Sequence, residues 1–321
     1  MTYARWRLRF EKEGDLAVAT FIKAHRGYSV DADRLDQGHT NHVIAGHHGK
    51  QPVIFKFFCE VERKDRELFG LRHFASTNLV PQILNADHDR LIVMSRIPGT
   101  WLHVAAKRDV NPPFDPGEVG LSLGHAAARL TCVPISPADA DLFEGRFYSG
   151  QALHEYFQEI IRASQSIPQR MTHYQDPTFR RSLDFIDAQL DHLLCQPRIL
   201  YHQDAVNMSF VENRLSGFFD LGMCRVGTQA MQIGSLWGTG GCRMWPSFLQ
   251  GFEAGTHQRL TQDDVRSALA FAHFMVWRSI SKYGQWCGQP LEASKAVDEA
   301  NKAREYLAAL QSHNEVLGIQ T

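Results

Sequence analysis

Two spacings of apolar residues divide the chain. Up to about residue 98, apolar residues come mainly in short runs broken by turn residues, the spacing of strands. Beyond Pro98-Gly99 they recur every three or four positions over longer stretches, the spacing of helices. Ahead of the strands, Leu16, Val18, Ala19, Phe21 and Ile22 predict one helix over 14–25. The run LDQGHTNHVIAGHHGKQPVIFKFF, two apolar stretches about a Gly-containing turn, predicts a β-hairpin. CEVERKDRELFGLRHFAS reads as a helix with Val61, Leu68, Leu71 and Phe74 toward the core, and NLVPQILNADHDRLIVMSRIPGTWL as two more strands around 87–89. Helical spacing then covers GEVGLSLGHAAARLTCVP, SGQALHEYFQEIIRASQ and TFRRSLDFIDAQLDHLLCQ, before the strand RILYH and a second hairpin in which Met208, Phe210 and Leu215, Phe218 flank the turn Glu212-Asn213. TQDDVRSALAFAHFMVWRSISKYGQW, with Thr261 as cap and Asp263, Asp264 in its first turn, and LEASKAVDEANKAREYLAALQ close the chain as helices. Phe271, Phe274 and Trp277 on the first of these suit a core or a cleft wall equally. The expected fold is α+β: an N-terminal antiparallel sheet with one helix, residues 1–98, and a larger, mainly helical region, 99–321.

Composition narrows the partners. The 34 basic and 35 acidic residues leave a formal charge of −1, so there is no electrostatic case for nucleic acid or an anionic membrane. Six cysteines are scattered singly without a C-x-x-C pair, which fits reduced thiols rather than a disulfide framework or zinc site. The first fifteen residues mix charge with aromatics and lack the apolar stretch of a signal peptide, and no run approaches membrane-spanning length. A cytoplasmic location is expected.

The chemistry concentrates in LYHQDAVNMSFVENRLSGFFDLG, residues 200–222, which sets two carboxylates and an amide on an otherwise apolar hairpin. Phosphoryl transfer needs that set: one carboxylate to orient or deprotonate the attacking hydroxyl, and oxygen ligands to hold magnesium on the phosphates. Asp204 suits the first task, Asn207 and Asp220 the second. Upstream, Lys56 interrupts the strand VIFKFF, which is otherwise apolar on both faces, and an ammonium in such a run needs a partner.

The order Lys56, an acidic helix, Pro98-Gly99, His202-x-Asp204, hairpin and Asp220-Leu221-Gly222 resembles the aminoglycoside phosphotransferase and choline kinase-like branch of the protein-kinase-like fold. The resemblance spans roughly 30 to 250 and implies a bilobal kinase-like architecture. It further implies roles for particular residues. Gly38 and Asn41 would belong to a G-x-x-N nucleotide-covering loop. Glu67 would hold Lys56 on the nucleotide phosphates, with Glu60 or Glu62 as alternatives. Met94 through Ile97 would form the linker whose backbone reads adenine, and His202 would brace the catalytic loop. Two departures stand out. The family loop H-x-D-x-x-x-x-N is two residues shorter here, so family spacing points to Ser209, whereas counting thirteen positions back from Asp220 points to Asn207. Gln232 also stands where an acid usually hydrogen-bonds the loop, and exchanging a carboxylate for an amide removes a charge-assisted hydrogen bond of about 1.5–3 kcal/mol.

The resemblance implies an enzyme, an ATP- and Mg2+-dependent O-phosphotransferase acting on a hydroxyl of a small molecule such as an aminoglycoside, sugar or amino alcohol. A shortened loop displaces a ligand by about 3.3 Å per missing extended residue, so an inactive, nucleotide-binding pseudokinase is the alternative. Transfer to a protein hydroxyl, or of a nucleotidyl group, is a third.

Overall fold

A computed structural model describes residues 3–31, 41–101, 114–148, 153–165, 177–203, 207–240 and 244–286. They form two compact units. One draws on Met1–Asp109, Asn207–Glu212 and Ser216–Cys224; the other draws on Val110–Val206, Asn213–Leu215 and Arg225–Thr321.

The first unit is a five-stranded antiparallel sheet with two helices. Helix α1 (Tyr3–Ala24) leads into β1 (Tyr28–Val30), β2 (Asn41–His48) and β3 (Gln51–Phe58); α2 (Val61–His73) precedes β4 (Ile83–Asn85), β5 (Leu91–Ser95) and the short β6 (Thr100–Trp101). The sheet order is β1-β2-β3-β5-β4. Side chains alternate across β3: Val53, Phe55 and Phe57 join Phe10, Val18 and Phe21 of α1 and Leu91 and Val93 of β5 in one core. Lys56 and Phe58 therefore face the other side of the sheet.

Helix α1 begins eleven residues before the expected start at 14. Its first turns are held by the ion pairs Arg7–Glu11 (2.7 Å) and Arg9–Glu13 (2.9 Å), each one turn apart. Trp6 stacks on Phe10, which in turn packs against Phe57. The charges that obscure the periodicity are the ones that stabilise the helix. Leu16, expected on the apolar face, is instead exposed, and so is Val61 in the first turn of α2, whereas Leu68, Leu71 and Phe74 are buried as expected.

The second unit is mainly helical. Its elements are α3 (Pro116–Thr131), α4 (Pro137–Phe147), α5 (Leu153–Gln165), α6 (Pro177–Cys195), β7 (Arg198–His202), most of β10 (Cys224–Thr228), α7 (Gln229–Gly240), α8 (Trp245–Thr256) and α9 (Gln262–Trp286). Between β7 and β10 the chain forms β8 (Met208–Val211) and β9 (Arg214–Phe218). Asp115 caps α3 by accepting from the Gly117 and Glu118 amides, and Ser136 caps α4, a helix too short and weakly periodic to be expected. Small residues let α3 and α8 pack backbone to backbone: a Cβ at Gly124 would run into the Phe248 carbonyl oxygen. Phe271, Phe274 and Trp277 of α9 are buried and belong to the core, with Phe274 stacked on Phe157. Residues 238–240 end α7; the last expected helix lies outside the described residues. Among these, no helix is long and apolar enough to cross a membrane.

One buried histidine gives the second unit a pH dependence. His273 packs edge-on to Phe185, and its Nδ1 lies 3.0 Å from Ser182 Oγ. Trp277 Nε1 donates to the same hydroxyl at 3.3 Å, so the ring and the indole share one buried polar partner. Burial pushes the His273 pKa down from 6.5 to about 4. Because the folded-state value is depressed, this contribution is fully present above pH 6.5 and is lost as pH falls toward 4. Between pH 7 and 4.5 His273 should cost about 2–3 kcal/mol of unfolding free energy. Denaturant titrations should show that loss diminished by this amount in His273→Gln.

Candidate active site

The site is built on the face of β3 turned away from the α1 core. Lys56 Nζ, nearly fully buried, lies 2.9 Å from Glu67 Oε2 on α2 and 2.6 Å from Asp220 Oδ1 just beyond β9. It also lies over the ring of Phe58 at 5.2 Å. Burial by itself would lower the Lys56 pKa, but the two carboxylates outweigh it and hold the ammonium above its ordinary range. Glu67 is fully buried, and desolvation pushes its carboxyl up against the opposing pull of Lys56; the Asp220 charge adds to the rise. One cation facing two acids makes both directions consistent.

Backbone geometry fixes the second acid. Asp220 adopts the left-handed conformation (φ 61°, ψ 53°), which is uncommon for a non-glycine residue and marks strain at functional positions. Two residues on, the Gly222 amide donates to Glu67 Oε2 at 2.6 Å. Glu67 thus binds both the lysine and the turn that presents Asp220. Asp220 itself is about one-third exposed, at 36%. The Asn207 amide approaches Asp220 Oδ2 at 3.5 Å, the outer limit of a hydrogen bond. Cys224 lies nearby, where burial, with Glu67 and Asp220 adding to it, drives its thiol pKa well above the ordinary value, so it stays protonated.

The structure therefore gathers Lys56, Glu67, Asn207 and Asp220. Ser209, the alternative to Asn207, turns its hydroxyl to the Pro98 carbonyl at 2.8 Å and is buried there. Asn41 does not join the group. It is the first residue of β2, opposite Phe58, and its carbonyl accepts from Arg7. Gly38 and Asp204 lie outside the described residues. Met94 is buried in β5 between Ile54 and Ile83, while Ile97 is half-buried beyond the strand end. The Ser95 and Arg96 amides donate to Gln82 and Pro52 carbonyls; among the described residues the Ile97 amide makes no such bond.

In the second unit, His202 ends β7 fully buried. Its amide donates to Gln232 Oε1 at 3.1 Å, and Ser235 Oγ donates to its carbonyl at 3.2 Å. Gln232 thus supplies, uncharged, an acceptor for the chain at His202. Sequence reasoning missed the Gly222–Glu67 bond and the fastening of Pro98, whose carbonyl accepts from Ser209 and also from Ser216 at 2.5 Å. The glycine of Asp220-Leu221-Gly222 was a visible signal for the first. Two isolated serines gave none for the second. Among the described residues, no three or more His, Cys, Asp or Glu side chains group as a ready metal site.

A buried strand lysine paired with a helix glutamate and with the acid that follows a later hairpin, on an antiparallel sheet ahead of a helical unit, defines a protein-kinase-like phosphotransferase fold. The chain belongs to the APH phosphotransferase enzyme family, whose sequence model matches residues 31–271. No curated protein matches it. Solved structures share the fold. A thermostable mutant of aminoglycoside phosphotransferase APH(4)-Ia, in ternary complex with AMP-PNP and hygromycin B, is similar over 91% of this chain and 98% of its own at 15% identity and TM-score 0.60. ADP-bound aminoglycoside phosphotransferase APH(2'')-Ib covers 92% and 98% at 17% identity and TM-score 0.58. The GDP complex of wild-type aminoglycoside 2'-phosphotransferase-IIIa covers 91% and 98% at 14% identity and TM-score 0.62.

Removing one member of a buried ionic group strands the others. Lys56→Ala leaves Glu67 and Asp220 facing each other and should destabilise the protein by about 3 kcal/mol at neutral pH. With the cation gone, Glu67, whose carboxyl burial already pushes up, takes a proton more readily, so stability should recover as pH falls and that proton replaces the ammonium. Urea unfolding of wild type and variant at pH 7.5 and 5.5 measures this; a gap that is equal at both values would contradict it.

Proposed function

We propose that the protein transfers the γ-phosphoryl group of ATP, with magnesium, to a hydroxyl of a small molecule. The observation that carries the reading is the cluster of Lys56, Glu67 and Asp220, with Asn207 at its open side. Phosphoryl transfer is catalysed mainly by positioning and electrostatic stabilisation, which such a cluster supplies. Lys56, held by Glu67, binds the phosphates, and the Ile97 amide together with the Met94–Ile97 backbone takes the base. Gly38 serves the segment that covers the phosphates, and Asn41 begins the strand β2 that follows it.

The donor set fits magnesium, which prefers a few oxygen ligands completed by water and phosphate over an all-protein cage. Asp220 offers a partly exposed carboxylate, and Asn207, whose amide group is directed to Asp220, offers a carbonyl oxygen. When bound, the ion neutralises phosphate charge and orients the γ-phosphoryl group. The acceptor oxygen forms the new bond to phosphorus as the bond to the bridging oxygen of ADP breaks, and Asp204 orients the hydroxyl and takes its proton. His202, gripped at both its amide and its carbonyl, sets the backbone from which Asp204 follows.

The pseudokinase alternative draws on the short loop and on Gln232. Against it, Asn207 still lies beside Asp220, and Gln232 still accepts from His202. The acceptor is a hydroxylated molecule of the kind represented by aminoglycosides, sugars and amino alcohols; solved relatives of the fold hold AMP-PNP with hygromycin B, ADP or GDP. Two acids of the second unit are engaged locally: Glu253 accepts from the Leu260 amide and Asp264 from Thr261 and Gln196.

Thermal unfolding tests the reading. ATP and magnesium together, but neither alone, should raise Tm by several degrees, with slow ATP hydrolysis in the same sample. Asp220→Asn should remove the magnesium-dependent part of the shift, and Asp204→Asn should keep the shift and lose turnover. Binding that persists unchanged in Asp220→Asn would overturn the assignment.

A further inference from the structure

An aromatic pair stands beside the proposed magnesium ligands, and the reaction as written does not use it. Trp101 ends β6 and Phe219 directly precedes Asp220; their rings meet edge to face, centroids 5.9 Å apart at 69°. Both are half-buried, whereas neighbouring Phe218 is fully buried. Both are also held by backbone. The Phe219 amide donates to the Asn207 carbonyl at 2.9 Å, and Trp101 lies opposite Ser209 in the β6–β8 ladder.

The path to Trp101 is equally constrained. Gly99 has φ +104°, and a Cβ there would run into the Phe210 carbonyl, so the chain turns from Pro98 straight onto β8. The Pro98 carbonyl accepts from Ser209 and Ser216 on the two hairpin strands. The Gly217 position is closed by Ile97, whose side chain packs where a Cβ would stand. Three residues separate Ile97, whose amide faces the base in the proposed reading, from Trp101; Trp101 touches Phe219, which adjoins Asp220 and is bonded to Asn207. The ring pair thus connects the group that reads the base to the groups that take the phosphates. What lies between those ends of a nucleoside triphosphate is the nucleoside itself, and a half-buried indole is a side chain suited to stack on it.

We propose that Trp101, backed edge-on by Phe219, is the stacking platform for the purine nucleoside of the phosphoryl donor. This rests on the nucleotide-binding reading above and adds to it a residue that sets donor preference. A platform acts on the nucleoside and leaves the phosphate end untouched, so a probe lacking the nucleoside separates the two.

Wild type, Trp101→Phe and Trp101→Ala are titrated by calorimetry with magnesium-ATP and with magnesium-tripolyphosphate, after ligand-free Tm values establish that each variant is folded. Trp101→Ala should weaken ATP binding about 10- to 100-fold, in line with base–aromatic stacking, and Trp101→Phe by about threefold or less. Tripolyphosphate affinity should be equal in all three, and ATP should change the tryptophan fluorescence of wild type more than that of Trp101→Phe. Unchanged ATP affinity in Trp101→Ala, or an equal loss for both probes, would overturn the inference while leaving the nucleotide reading standing. If wild type binds neither probe, the nucleotide reading itself fails and this inference with it.

Discussion

A buried ammonium that must be neutralised is the constraint from which the rest of the first unit follows. Lys56 is nearly fully buried on β3, and a lone charge there would be costly to remove from water. Neutrality comes from two acids far apart in sequence, Glu67 on α2 and Asp220 after β9. Satisfying them ties α2 to β3 and brings the hairpin back to the sheet. Two acids face one cation, and of the two only Asp220 is partly exposed.

Backbone bonds hold the remaining parts in place. Gly222 donates to Glu67, Phe219 to Asn207 and Phe218 to Leu79, so the chain from 217 to 222 is pinned on several sides and Asp220 can be kept in a left-handed conformation. The linker end is fastened to the same hairpin through Pro98. Only the Phe219–Asn207 and Phe218–Leu79 bonds are backbone to backbone; the others require the Glu67 carboxylate and the Ser209 and Ser216 hydroxyls.

The departures from the family pattern have local physical answers. The two-residue shortening of the loop does not separate Asn207 from Asp220, because Asn207 is anchored through its own carbonyl to Phe219. The exchange of an acid for Gln232 keeps an acceptor for the His202 amide, now neutral, and Ser235 one turn later grips the carbonyl of the same residue. An amide accepts such a bond at less desolvation cost than a carboxylate in a site with no exposure.

The sequence by itself determined the class of fold, the strand that carries Lys56, the helix that carries Glu67 and the hairpin bearing Asn207 and Asp220. Each is written in a local period or in a polar residue set against an apolar run, signals that survive without neighbours. It did not determine the first eleven residues of α1, because Arg and Glu one turn apart stabilise a helix while hiding its apolar stripe. Family spacing pointed to Ser209 and the count back from Asp220 favoured Asn207; the structure turns the Ser209 hydroxyl to the Pro98 carbonyl and sets Asn207 beside Asp220. Asn41 reads as a loop residue by motif but is drawn into β2 by pairing with Phe58. The meeting of Trp101 with Phe219, and of Glu67 with Gly222, joins residues more than a hundred positions apart. Such contacts are decided by how strands register and turns close, and no single stretch of sequence contains that information.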